Sequence, residues 1–262
     1  MPLPSETPGF HQFIIGLIGN PRDQKFLREI GIQMSLTHSM MQNKKAKIPG
    51  LEEVPVDRKS SFTQFVLDNE LHLEEIPTAQ RASQDRKSTD VKGETVVLHI
   101  CGHHEPKEKK SQTNGFGFRT AHKDGFYKTD DIITLALAPF LKQFTGLKNI
   151  YIVLHSCETA VSYDDSDQAF TGSTMRDILS SLEKELQQTE INISIFGVEH
   201  EISEEKSGYT LWNTQTKKKV KDEQFKSISN QSSRQKEQED LPSTTSQHPT
   251  ITQPQSTKIS KQ

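Results

Sequence analysis

The chain is poor in the features that staple, anchor or electrically commit a protein. Among its 262 residues are two cysteines, Cys101 and Cys157. Two are too few for a disulfide scaffold, so the simpler setting is a reducing one, in the cytoplasm or reached by a signal-free route of secretion. No apolar run approaches the roughly 18 residues that span a bilayer. The opening MPLPSETPGF has no basic segment leading into an apolar core. These absences predict no membrane span and no cleaved leader. A formal net charge of −3 and a pI near 6.4 supply no general positive field to release counterions from a nucleic acid. There is no internal repeat, no G-x-S-x-G elbow around Ser156, and no Lys-Ser/Thr ending to make a nucleotide cradle of GFGFRTAHKDG.

Hydrophobic residues make up 31% of the chain, low for one packed throughout. The shortfall gathers at the end: residues 223–262 are dominated by Gln, Ser, Thr, Lys and Pro, with Phe225 as their one aromatic. Such a stretch cannot bury enough apolar surface to offset the entropy of ordering. The expected organisation is a short extension over 1–9, one folded domain over 10–222 and a disordered polar tail over 223–262.

Within the domain, FHQFIIGLIGN (10–20) suits a strand closing in a turn, and Phe26, Leu27, Ile30 and Met34 then recur at helical spacing. Residues 60–77 alternate around Asp68-Asn69-Glu70 as a hairpin does, and a polar linker follows. TVVLHICG (95–102) reads as a strand. Residues 128–144 read as a helix capped by Thr129 or Asp130, with Pro139 as a kink. NIYIVLHS (149–156) is a strand, and 173–188 a helix capped by Ser173 or Thr174. Residues 191–199 form another strand, and GYTLWNTQTKKKV (208–220) a hairpin. Strands separated by helices of these lengths require crossovers, hence an α/β fold with a mostly parallel sheet covered on both faces.

In such sheets chemistry gathers at the carboxyl ends of strands. VVLHICGHHE delivers His103 and His104 there, and IYIVLHSCET delivers Cys157, 54 positions on (157 − 103). One helix between them is what adjacent parallel strands joined by a single crossover need. A thiolate beside an imidazole is a nucleophile with its own acid and base, and N–H groups at a strand end can hold an oxyanion. The bland alternative is a buried structural thiol, the commoner fate of a lone cysteine. His155 is expected on the sheet face opposite Cys157, and His122 on a loop bordering the substrate groove.

The pairing of ICGHHE with IVLHSCET resembles the caspase-like clan of cysteine peptidases, and VLHSCETA is similar to its CHAT branch. Over about residues 10–220 the order of elements looks like that of the self-cleaving cysteine protease domains of large secreted bacterial toxins. The resemblance implies a three-layer α/β fold with helices on both faces of a central sheet and a C-terminal hairpin flap. It implies a cysteine endopeptidase cleaving itself or another protein, with Cys157 as nucleophile and His103 as general base and acid. In LIGNPRD, Asn20 holds the place of the residue that orients the histidine, with Asp23 as the acidic neighbour. Backbone N–H groups at Cys157 and around Gly102 to His104 would form the oxyanion site. One departure is His104, which stands where the family has glycine and could disturb the loop. That departure keeps alive an alternative: an impaired caspase-like fold acting as a protein-binding module.

The toxin domains are activated by inositol hexakisphosphate bound to a basic surface near the flap. Here Lys206, Lys217, Lys218, Lys219 and Lys221 cluster in or beside the last hairpin and would match such a polyanion. The plainer reading is a solvated basic run. His99, Cys101 and His103 alternate onto one strand face with His104 beside them, but no second pair stands at ligand spacing, so no metal site is expected. The implied partner is a protein or peptide substrate.

Overall fold

The computed structural model describes residues 9–19, 24–44, 48–58, 62–76, 91–105, 117–119, 125–165, 170–187, 190–205, 208–212, 216–220 and 224–231. Asn20, Asp23, His122, Lys206 and Lys221, and most of the predicted linker after residue 76, lie outside them.

The strands are β1 (Gly9–Gly19), β2 (Thr63–Asp68), β3 (Leu73–Ile76), β4 (Val91–Cys101), β5 (His104–Glu105), β6 (Gly117–Arg119), β7 (Phe126–Tyr127), β8 (Phe144–Thr145), β9 (Asn149–His155), β10 (Tyr163–Asp165), β11 (Phe170–Gly172), β12 (Asn192–Gly197), β13 (Glu201–Glu205), β14 (Gly208–Trp212) and β15 (Lys226–Ser229). The helices are α1 (Gln24–Gln42), α2 (Thr129–Asp131), α3 (Ala138–Leu141) and α4 (Thr174–Leu186), with a π-helical stretch over Ile132–Leu137 joining α2 to α3.

The main sheet runs β15-β12-β9-β4-β1-β2-β3, and β8 adds a short pairing to β4. From β12 to β2 every neighbour is parallel; β3 and β15 close the edges antiparallel. The chain builds one way from β1 to β2, then returns to β1's other side with β4 and continues to β9 and β12. That makes the β1/β4 boundary a switch point, where the carboxyl ends of strands open a crevice.

Alternation along the strands builds two layers of core. Val96, Leu98, Ile100, Ile150, Ile152 and Leu154 pack against the helical run 132–141 and α4. The other face is covered by α1, through Ile30, Met34 and Met41, and by Val54, Leu211 and Phe225 from connecting segments. Each wholly buried aliphatic side chain contributes about 1.5–3 kcal/mol, so the central strands carry most of the stability.

Three expectations about these elements need correction. The strand predicted from residue 95 begins at Val91. The cap of α2 is Lys128, without a side-chain hydrogen bond, rather than Thr129 or Asp130. The chain meets Pro139, which has no N–H for the ladder, just after the π-helical widening rather than at a simple kink. Ser173, by contrast, caps α4 by accepting from Arg176 N–H at 3.3 Å.

The last hairpin is β13 with β14, residues 201–212, rather than 208–220; Val220 only returns to bond Leu211 O at 2.8 Å. EISEE is too polar to announce a strand by its side chains, because its pairing is backbone to backbone. The fold also runs past residue 222. Phe225 is buried, β15 pairs with β12, and the Asn230 side chain bridges Ile193 N–H and Ile191 O. An edge strand needs few apolar side chains, so composition hid it. Among the described residues no helix is long and apolar enough to cross a membrane.

Candidate active site

Register fixes the site before any side chain is considered. β4 and β9 lie side by side, parallel, with Cys101 opposite His155. Two residues beyond that pair, at the abutting carboxyl ends, come His103 and Cys157. Gly102 between them and the strand is buried, its Cα facing Leu17 so closely that an added Cβ would sit 3.2 Å from that side chain.

α1 runs along these ends and presents a polar stripe spaced four residues apart. Glu29 Oε2 lies 3.6 Å from His103 Nε2, Gln33 Nε2 donates to His155 O at 2.6 Å, and buried Thr37 Oγ1 is 3.4 Å from Cys101 Sγ. The carboxylate described beside His103 is therefore Glu29, while Asn20 and Asp23 lie outside the described residues. Sequence reasoning missed Glu29, although the i, i+4, i+8 stripe of Glu29, Gln33 and Thr37 on an amphipathic helix signals a face turned toward strand ends.

Cys157 is half-buried at the start of a tight turn. Its Sγ accepts from Ile202 N–H on β13 at 3.5 Å and has no imidazole partner among the described residues. Burial pushes the thiol pKa up; the Ile202 N–H and its own backbone N–H oppose this, while the Glu201 and Glu158 carboxylates add to it. The thiol thus rests protonated beneath the β13–β14 hairpin. The turn is tied down on the same side: Glu158 N–H donates to His200 O at 3.1 Å, Ala160 N–H to Val198 O at 2.9 Å, and Glu158 adopts a left-handed φ of 55°. A non-glycine residue held there stores strain next to Cys157.

His104 resolves differently from the concern its sequence position raised. Its ring turns inward, is 6% exposed, and bridges Cys157 O (Nδ1, 2.8 Å) and Thr174 Oγ1 (Nε2, 2.7 Å). A carbonyl only accepts, so Nδ1 carries the proton; Nε2 then accepts from the Thr174 hydroxyl. One neutral ring joins the His strand end, the backbone of Cys157 and the first residue of α4. Burial pulls its pKa down to about 4, against the opposing pull of the bond to Cys157.

His155 also departs from expectation. Its Nε2 meets His99 Nδ1 at 2.8 Å, and its ring packs toward Phe225, a member of the cluster that contains Val97 and Val153. Ile202, the thiol's partner, packs on that same cluster, so His155 shares its face with Cys157. Ser156 Oγ is buried with no hydrogen-bond partner among the described residues. His99, Cys101, His103 and His104 each turn to a different neighbour, and no three His, Cys, Asp or Glu among the described residues group to hold a metal.

Lys217, Lys218 and Lys219 are exposed, and Lys217 Nζ pairs with Glu201 Oε1 at 2.7 Å, one residue before Ile202.

The neutral imidazoles give stability a pH dependence. Burial holds His99 near 3, His104 near 4 and His155 well below its ordinary value of 6.5. Below about 6.5 the unfolded chain binds protons that the folded rings refuse, so stability is complete above that pH and falls as pH drops toward 4. Urea unfolding between about pH 7 and 4.5, before most carboxylates titrate, should show a falling midpoint. A flat profile contradicts the neutral-ring assignment.

Compared with known proteins, the chain matches no protein-family model and no curated sequence.

Proposed function

We propose that the chain is a caspase-like cysteine endopeptidase in which Cys157 attacks a peptide carbonyl and His103 moves the proton. The observation that carries the reading is the register that brings His103 and Cys157 to abutting strand ends, between α1 and the β13–β14 hairpin. The sheet order and the hairpin over the thiol fit the three-layer fold with a flap that the sequence resembles.

In the reaction His103 takes the thiol proton, the Sγ–C bond forms, and the carbonyl electrons move onto oxygen. That oxygen is held by the backbone N–H groups of Cys157 and of Gly102 to His104, since Glu158 N–H is already committed to His200 O. The C–N bond breaks as His103 gives its proton to the leaving amine; water then hydrolyses the acyl-enzyme with His103 as base. Glu29 holds the imidazole, with Asn20 or Asp23 as further orienting groups.

The raised thiol pKa makes this a resting form. Lifting β13 would relieve the burial that pushes the thiol pKa up and remove the Glu201 carboxylate that disfavours thiolate, against the loss of the Ile202 N–H that favours it. Inositol hexakisphosphate at Lys217, Lys218 and Lys219, joined by Lys206 and Lys221, would compete with Glu201 for Lys217 and so loosen the flap.

The same protonated thiol, with no imidazole on Sγ, favours a second reading: a caspase-like binding module without chemistry. Cleavage of a denatured protein, or of the chain's own termini, separates the two. The enzyme reading predicts cleavage that vanishes in Cys157→Ala, and cleavage surviving that change rejects it.

A further inference from the structure

Behind the strand ends, the face of the sheet under α1 holds a cavity that the dyad does not use. Its volume is about 480 Å³, within the usual span of small-molecule sites, about 300–1,000 Å³. Met40 and Met41 from the end of α1, Val54 and Val56 from the segment that follows, and His99 from β4 line it. Exposed Glu52 and half-buried Arg58 also line it. Both are engaged locally: Glu52 Oε2 accepts from Gly50 N–H at 2.8 Å and Arg58 Nη1 donates to Asn43 O.

His99 is the anomaly. The ring is wholly buried, Nδ1 is bonded to His155, and Nε2 has no hydrogen-bond partner among the described residues. Buried polar atoms are nearly always hydrogen-bonded, and exceptions ask for an explanation. Two neutral imidazoles share one proton across their mutual bond, so the remaining Nε2 presents either a lone pair or an N–H. A hydroxyl matches both, since it donates and accepts. A carboxylate or ammonium would lose its hydration at His99 Nε2, where no described charged side chain is bonded; Glu52 and Arg58, the charged groups of the lining, are each tied to a backbone group. Nε2 is sealed from water, so access requires a neighbouring side chain to swing. Met40 and Met41 are unbranched thioethers that yield readily and favour aromatic rings.

We infer that this cavity is a binding site for a neutral aromatic alcohol, with its ring system between Met40, Met41, Val54 and Val56 and its hydroxyl on His99 Nε2. The inference is independent of proteolysis, because neither Cys157 nor His103 takes part.

The test uses the full chain and three probes of one shape: 2-naphthol, naphthalene and 2-naphthoate. Binding is followed by NMR of the methionine methyl groups and of the imidazole nitrogens. The site predicts one-to-one saturable shifts of Met40, Met41 and His99 Nε2 with 2-naphthol, at least ten-fold weaker binding of naphthalene, and none of 2-naphthoate. Val54→Trp, which fills the cavity, should abolish the shifts; the comparison of probes on wild type stands even if that variant fails to fold. Equal binding of naphthol and naphthalene, an unmoved His99 Nε2, or no saturable shift at all would overturn the inference.

Discussion

Cys157→Ala should leave no cleavage above the uncatalysed background, and His103→Ala should lower the rate by about 10²–10⁴, the usual range for a lost general acid–base. The asymmetry follows from the roles proposed for Cys157 and His103. Without Sγ there is no acyl-enzyme, whereas without the imidazole a small thiolate fraction still attacks and the backbone N–H groups still hold the oxyanion. Cys101→Ala should keep activity, since that thiol is buried on β4 against Thr37, behind the strand end. Mass spectrometry of fragments from a denatured substrate reads all three variants. Equal loss in Cys101→Ala and Cys157→Ala would indicate a folding defect in place of a lost nucleophile. Cleavage retained in Cys157→Ala would remove the enzyme reading altogether.

The second large effect is on stability. His104→Ala removes a side chain whose two nitrogens satisfy Cys157 O and the Thr174 hydroxyl in a buried site, and whose ring packs edge-on against Phe118 with centroids 5.3 Å apart. Each orphaned buried group costs about 1–3 kcal/mol and the void adds to it, so a loss of about 3–5 kcal/mol is expected. For a domain of this size that lowers Tm by roughly 6–20 °C. Thr174→Val, which orphans only Nε2, should cost about 1–3 kcal/mol. His104→Asn should recover part of the loss, because its amide can still donate to the Cys157 carbonyl. Denaturant unfolding measures the series; a change under about 0.5 kcal/mol in His104→Ala would mean that the ring does not hold the turn.

His104 also marks how far the sequence could be read. ICGHHE and LHSCET were legible as strand ends because the largely apolar stretches 96–101 and 150–154 stop abruptly at polar residues, and one intervening helix fixes two such strands as parallel neighbours. Where the second histidine's ring would go was not legible. It depends on α4 bringing Thr174 to the far side of the turn, a contact across 70 positions. Glu29 was hidden for the same reason, since the helix carrying it docks on strands far along the chain. β13 and β15 were missed because their stability is in backbone pairing, which leaves little trace in EISEE or KSIS. His155 was misplaced because β9 ends at that residue and Cys157 lies in the turn beyond it, where strand alternation no longer assigns a face.

The measurement closest to the central claim is the rate at which a thiol-directed peptide probe labels Cys157, with Cys101 as internal reference, in wild type and His103→Ala, with and without inositol hexakisphosphate. The account predicts slow labelling at rest, because the thiol is protonated under β13. It predicts a marked rise with the polyanion, and loss of that rise in His103→Ala. Labelling of Cys157 that the polyanion leaves unchanged and His103→Ala does not alter would contradict the dyad and leave a caspase-like binding module in its place.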